Sequence, residues 1–147
     1  MDCYDILAGY SNSMKDYATE EAALIELLEI SKKHDIDSWF SSSLDYGELL
    51  EFQKRNAGAD AIYVNLNSIK PKLNQSKGYF VYMNDTGRLA TKLKNYEEAE
   101  QIFSTLLSHE KKQVKVDTFH LSFIYKSLTH LYEDTGDYKK AFENNQK

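Results

Sequence analysis

One small residue returns along this chain at a nearly constant interval. Ala23, Ala59, Ala99 and Ala141 follow one another at spacings of 36, 40 and 42 residues. Their surroundings return with them. Four positions after the first three alanines come Leu27, Tyr63 and Phe103, and three further on come Ile30, Leu66 and Leu106. Gly47 and Gly87 lie twelve positions before Ala59 and Ala99, and Pro71 lies twelve after Ala59. Spacings of three and four gather residues on one face of a helix. The recurring unit therefore predicts a pair of helices. A small residue on each helix lets the two backbones approach, and large apolar residues one turn along fill the space beside that contact. Two helices cannot bury their apolar faces alone, so hairpins of this kind stack and share a core.

Apolar periodicity broken by short polar segments predicts eight helices, over about 2–13, 17–34, 38–55, 57–70, 78–94, 96–112, 118–134 and from Tyr138 onward. Asp37 and Ser38 are candidate caps for the third helix. Pro71 ends the fourth, and Asn95 with Glu98 forms a capping pair before the sixth. Between the last two helices, Gly136 supplies a left-handed stop and Asp137 a cap for the restart.

These residues resemble the tetratricopeptide repeat, whose signature is W-x2-L-G-x2-Y, then A-x3-F, then P. Gly47, Ala59, Tyr63 and Pro71 match in the second repeat. Gly87, Tyr96, Ala99 and Phe103 match in the third, and Leu128, Tyr132, Gly136, Tyr138 and Ala141 in the fourth. Tyr4, Leu7 and Ala8 give a looser first repeat. The family's tryptophan position holds Tyr4, Ser43, Met83 and Tyr125, and Asn145 stands where an aromatic is usual. The spacings exceed the family's 34-residue period, a style similar to repeats of bacterial regulators. The resemblance implies an all-α, right-handed superhelical solenoid of four hairpins, over about 1–35, 36–74, 75–114 and 115–147. With no polar capping helix after the last short one, the expectation is a piece of a longer array, or self-association through the C-terminal helix around Phe142.

Composition and motifs narrow the function. The chain carries a net charge of −5 with 28% charged residues, which argues against direct nucleic-acid binding. The start MDCYDILAGY is acidic and lacks the apolar run of a signal peptide. The densest apolar stretch, AALIELLEI, is too short and too charged to span a bilayer. A lone cysteine, Cys3, excludes an internal disulfide and fits a reducing compartment, so a cytoplasmic location is the expectation. No P-loop, dinucleotide fingerprint, H-E-x-x-H or G-x-S-x-G occurs, so neither an enzyme nor a cofactor is expected. His130 with Glu133 or Asp134 has a metal-compatible helical spacing, but a solvated helix face accounts for it better, and no metal is expected. Acidic pairs such as Glu97 and Glu98 lie in first turns, where they favour the helix dipole.

The resemblance also implies where a partner would bind. In that family the first helices of the hairpins line a concave groove, at positions three before the glycine and one after it. These are Asp5 and Gly9, Leu44 and Glu48, Asn84 and Arg88 with Lys92 one turn on, and Lys126 and His130. Asn84, Arg88 and Lys126 resemble part of the clamp by which some members hold a carboxylate, while Asp5 and Glu48 would oppose it. The implied function is a protein- or peptide-binding scaffold. The alternative is a ligand-sensing regulatory region of a longer bacterial signalling or transcription-regulating protein.

Overall fold

The computed structural model describes residues 17–147, with side chains from residue 21. The expected helix over 2–13, with Cys3, Tyr4, Asp5, Leu7, Ala8 and Gly9, lies outside them. Seven α-helices fill the described residues: α1 (Tyr17–His34), α2 (Ile36–Phe52), α3 (Asn56–Ile69), α4 (Tyr79–Lys92), α5 (Tyr96–Lys111), α6 (Thr118–Thr135) and α7 (Tyr138–Asn145). No strand occurs among the described residues, and none of their helices is long and apolar enough to cross a membrane. The chain divides into two compact units, one ending at Lys77 and the other spanning Gly78–Lys147.

In the first unit α2 packs against α1 and α3. The buried line on α1 runs Ala23, Leu24, Leu27 and then Ser31, whose hydroxyl donates to the Leu27 carbonyl at 2.7 Å. Ile30, expected on that line, is largely exposed. It stands seven residues from Ala23, and the buried face has drifted to the eighth. Leu49 packs with Ala23 and Leu24, and Tyr46 closes over them. Trp39, the only tryptophan, is half-buried on α2.

The second unit packs α4 on α5, α5 on α6, and α6 on α7. Its core is Ala90, Ala99, Phe103, Leu106, Ile124, Leu128 and Leu131. Burying a leucine or phenylalanine side chain of this kind contributes about 1.5–3 kcal/mol.

The same joint closes α2–α3 and α4–α5. Ala59 and Ala99 are buried, with Tyr63 and Phe103 one turn along and Leu66 and Leu106 beyond. A Cβ on Gly47 would lie 2.5 Å from Cε1 of Tyr63, and one on Gly87 would lie 2.7 Å from Cε1 of Phe103. Only glycine lets each ring lie against the facing backbone.

The turns recur as well. Gln53 N–H donates to Leu49 and Arg55 N–H to Leu50; Leu93 N–H donates to Leu89 and Asn95 N–H to Ala90. These bonds require a positive φ at Lys54 (61°) and at Lys94 (62°). Gly136 also takes a positive φ, 77°, between α6 and α7 with its N–H on the Glu133 carbonyl, and Asp137 accepts from Lys140 N–H as expected. This turn corrects one expectation. Asn95 makes no side-chain cap; its backbone N–H instead closes the preceding helix on the Ala90 carbonyl.

The third-helix cap also moves. Asp35, the single residue between α1 and α2, accepts from Asp37 N–H and from the Ser38 hydroxyl. Asp37 is instead buried, and its carboxylate accepts from the backbone N–H groups of Asn74 and Ser76. Ser76 Oγ returns a bond to Asp35 at 2.9 Å. The chain after α3 is thus tied back to the start of α2. Pro71 sits in a 3-10 turn, Lys70–Lys72, just past the end of α3.

Candidate functional site

The groove candidates divide by unit. In the first, Leu44 is fully buried in the interior, which corrects its assignment to an open groove; an aliphatic chain there follows the core rather than a partner. Glu48, one turn on, is half-buried.

In the second unit the candidates fall on α4 and α6, which touch. Asn84 is buried, and its Oδ1 accepts from the Ser127 hydroxyl at 3.4 Å, joining the two helices. Arg88 is half-buried and its guanidinium lies 3.2 Å from the Asp85 carboxylate. That pairing removes the free cation a carboxylate clamp at Arg88 would need. Lys92 is half-buried on the same helix. Lys126 and His130 are exposed on α6.

Two residues missed by the groove register extend the exposed Lys126–His130 side of α6. Phe119 and Phe123 are 63% and 41% exposed, and their rings contact each other with centroids 4.7 Å apart. The order Phe119, Phe123, Lys126, His130 advances by four, three and four residues, so all four lie on one stripe of α6. The signal was present as an aromatic pair at helical spacing, but such a pair in a sequence reads equally as core.

A second cluster lies where α4 begins, α5 ends and α6 begins. Glu110 is buried, with Oε2 2.8 Å from Nδ1 of His120 and Oε1 3.3 Å from Nδ1 of His109. His120 stacks on Phe80, centroids 3.7 Å apart and planes within 3°. His109 packs against Tyr79 at 4.6 Å. Asp117 caps α6 through Phe119 N–H and His120 N–H, which fixes where the imidazole starts. The cluster ties three helix ends together. Beside it an open depression is lined by Tyr79, Ser104, Thr105, Ser108, His109 and Lys112. Among the described residues no group of three histidine, cysteine or acidic side chains is placed to hold a metal ion.

At the opposite end of the unit, the Tyr132 hydroxyl donates to Glu100 Oε1 at 2.7 Å, and Lys140 Nζ lies 3.6 Å from the same oxygen. Lys140 also sits 5.0 Å from the Tyr132 ring centroid. Burial, and then the Glu100 carboxylate, push the Tyr132 phenol well above its usual pKa. The first unit has an analogous tie. Glu21 accepts from Arg55 at 2.7 Å and from Tyr46 at 3.2 Å, and the Arg55 bond holds its carboxyl below the usual range.

No protein-family model matches the chain, and no curated protein matches it.

Proposed function

We propose that the chain is a binding module, a helical scaffold of tetratricopeptide type that receives a protein or peptide segment on the α4–α6 face of its second unit. One observation carries the reading: an exposed aromatic pair, Phe119 and Phe123, continues along α6 into exposed Lys126 and His130. Aromatic side chains bury large area with few rotamers to freeze, and so serve as anchors. Lys126 adds a cation for an acidic group beside the anchor. The ligand that fits is an amphipathic segment with an apolar side chain and a carboxylate one helical turn apart. The function is recognition without covalent chemistry.

Selection of displayed random peptides on the purified chain tests this. Sequences pairing an apolar and an acidic residue should be enriched, and should lose at least about tenfold in affinity for Phe119→Ser/Phe123→Ser. Lys126→Glu should weaken them less. Arg88→Glu is a poorer probe, because it also breaks the pair with Asp85. Selected peptides that bind the double variant equally well would remove this face from the function.

A further inference from the structure

Helix α7 has two differently equipped sides. On the inner side Ala141 is buried, and Lys140 is held by Glu100, Asp137 and the Tyr132 ring. On the outer side Tyr138 is 72% exposed and Phe142 is 64% exposed, with exposed Lys139 and Glu143 beside them. Neither Lys139 nor Glu143 has an ion-pair partner among the described residues. Tyr138, Lys139, Phe142 and Glu143 form one stripe, two residues per turn.

Register against α5 says what such a stripe is for. Ala141 corresponds to Ala99, so Phe142 corresponds to Glu100 and Tyr138 to Tyr96. Glu100 is one of the residues through which α5 reaches the following helices, by way of Tyr132 and Lys140. Tyr96 packs on the core, whereas Tyr138 does not. Phe142 thus stands at a position that faces a neighbour, with an aromatic ring in place of a carboxylate.

The charges select the neighbour. Lys139 and Glu143 are four residues apart along the axis with opposite signs. A second α7 laid antiparallel across the first brings each lysine to the other copy's glutamate, twice over, with the two Phe142 rings near the axis. An isologous contact requires this reciprocity, in which residue i meets j and j meets i. We propose that the outer stripe of α7 is a self-complementary surface that pairs two copies of this chain about a two-fold axis. The patch is small, so the dimer is weak and reversible.

Sedimentation velocity of the 147-residue chain over a concentration series reads the equilibrium directly. The expected result is a monomer–dimer equilibrium that stops at the dimer. Lys139→Glu and Glu143→Lys should each weaken it about fivefold to tenfold, two exposed ion pairs being lost and two repulsions gained. The double variant Lys139→Glu/Glu143→Lys should restore it, because the swapped charges again meet across the axis. Phe142→Ser should abolish it while leaving the far-UV thermal melt unchanged. A chain that stays monomeric up to about 500 µM would overturn the proposal. So would growth beyond dimers, which signals a head-to-tail contact, or a double variant no tighter than the singles. Peptide selection on Phe119 and Phe123 is indifferent to all of these results, so the two readings fail separately.

Discussion

The α2–α3 hairpin of the first unit and the α4–α5 hairpin of the second share one design, displaced by forty residues, yet secure their open ends differently. Gly47 and Gly87, Lys54 and Lys94, Ala59 and Ala99, and Tyr63 and Phe103 occupy matching places. Each hairpin then holds the chain that follows it through one buried carboxylate. In the first, Asp37 lies at the start of α2 and takes hold of two backbone N–H groups. In the second, Glu110 lies near the end of α5 and takes hold of an imidazole, itself stacked on Phe80. The joint is set by shape and tolerates little change. The open end is a polar tie that different residues can make. A backbone donor is present whatever side chain occupies the position, whereas the Glu110 tie depends on one histidine.

The joint should be the most fragile point. Gly87→Trp and Gly47→Trp should each cost more than about 3 kcal/mol, since the ring in the way belongs to a fully buried residue. Thermal melts by far-UV circular dichroism would show loss of the affected unit. An unchanged melting temperature would break the comparison at its base. The ties come next. His120→Ala takes the nearer of two imidazoles from a buried carboxylate, leaving it only His109, and removes a stacked ring, a loss of about 2–3 kcal/mol in urea titration. Asp37→Ala should lose about 1–2 kcal/mol, because the freed amides of Asn74 and Ser76 lie on exposed residues and can turn to water. Trp39 fluorescence reads the Asp37 variant from within its own unit. If the two losses were equal, the distinction between side-chain and backbone donors would fall.

The turns should respond in the opposite direction. Lys54→Gly and Lys94→Gly should each stabilise by about 1 kcal/mol, because lysine pays a steric penalty at positive φ that glycine escapes. A loss at either site would mean the lysine side chain matters more than the backbone. The smallest effect is electrostatic. Glu21 and Asp35 of the first unit have carboxyls held below their ordinary range, by the Arg55 bond and the Ser38 hydroxyl bond respectively. Their stabilisation is present above the unfolded carboxylate pKa of about 4 and is lost as pH falls through the lower folded value. Glu21→Gln should flatten the acid limb of a stability profile followed by Trp39 fluorescence.

Most helix positions were legible in the sequence, and for a physical reason. Apolar spacing is local, and the interval from Gly87 to Phe103 repeats that from Gly47 to Tyr63, so both can be read without knowledge of the tertiary contacts. The bounds of α1, α5 and α6 fall within a residue or so of their expected places. The αL turns at Lys54 and Lys94 were not legible, because lysine has no preference for that conformation and the asparagine after Lys94 reads as a cap. Asp37 reads as a cap for the same reason, two residues after the aspartate that does the capping. Neither the Glu110–His120 contact nor the Arg88–Asp85 pair could be weighed from spacing. The first depends on how two helix ends meet, and the second on which of several acidic neighbours an arginine selects. The exposed Phe119 and Phe123 were hidden by ambiguity, since helical aromatics signal burial as readily as an open face.

The Asp37 tie also works as a clock. The N–H groups of Asn74 and Ser76 belong to a loop with no helical ladder, and amides in such a loop ordinarily exchange with solvent deuterium quickly. Here their partner lies thirty-seven and thirty-nine residues back, on a helix end that stays in place only while α2 is docked. Their deuteration rates therefore report how often the first unit opens. Two loop amides carry information about an entire helix.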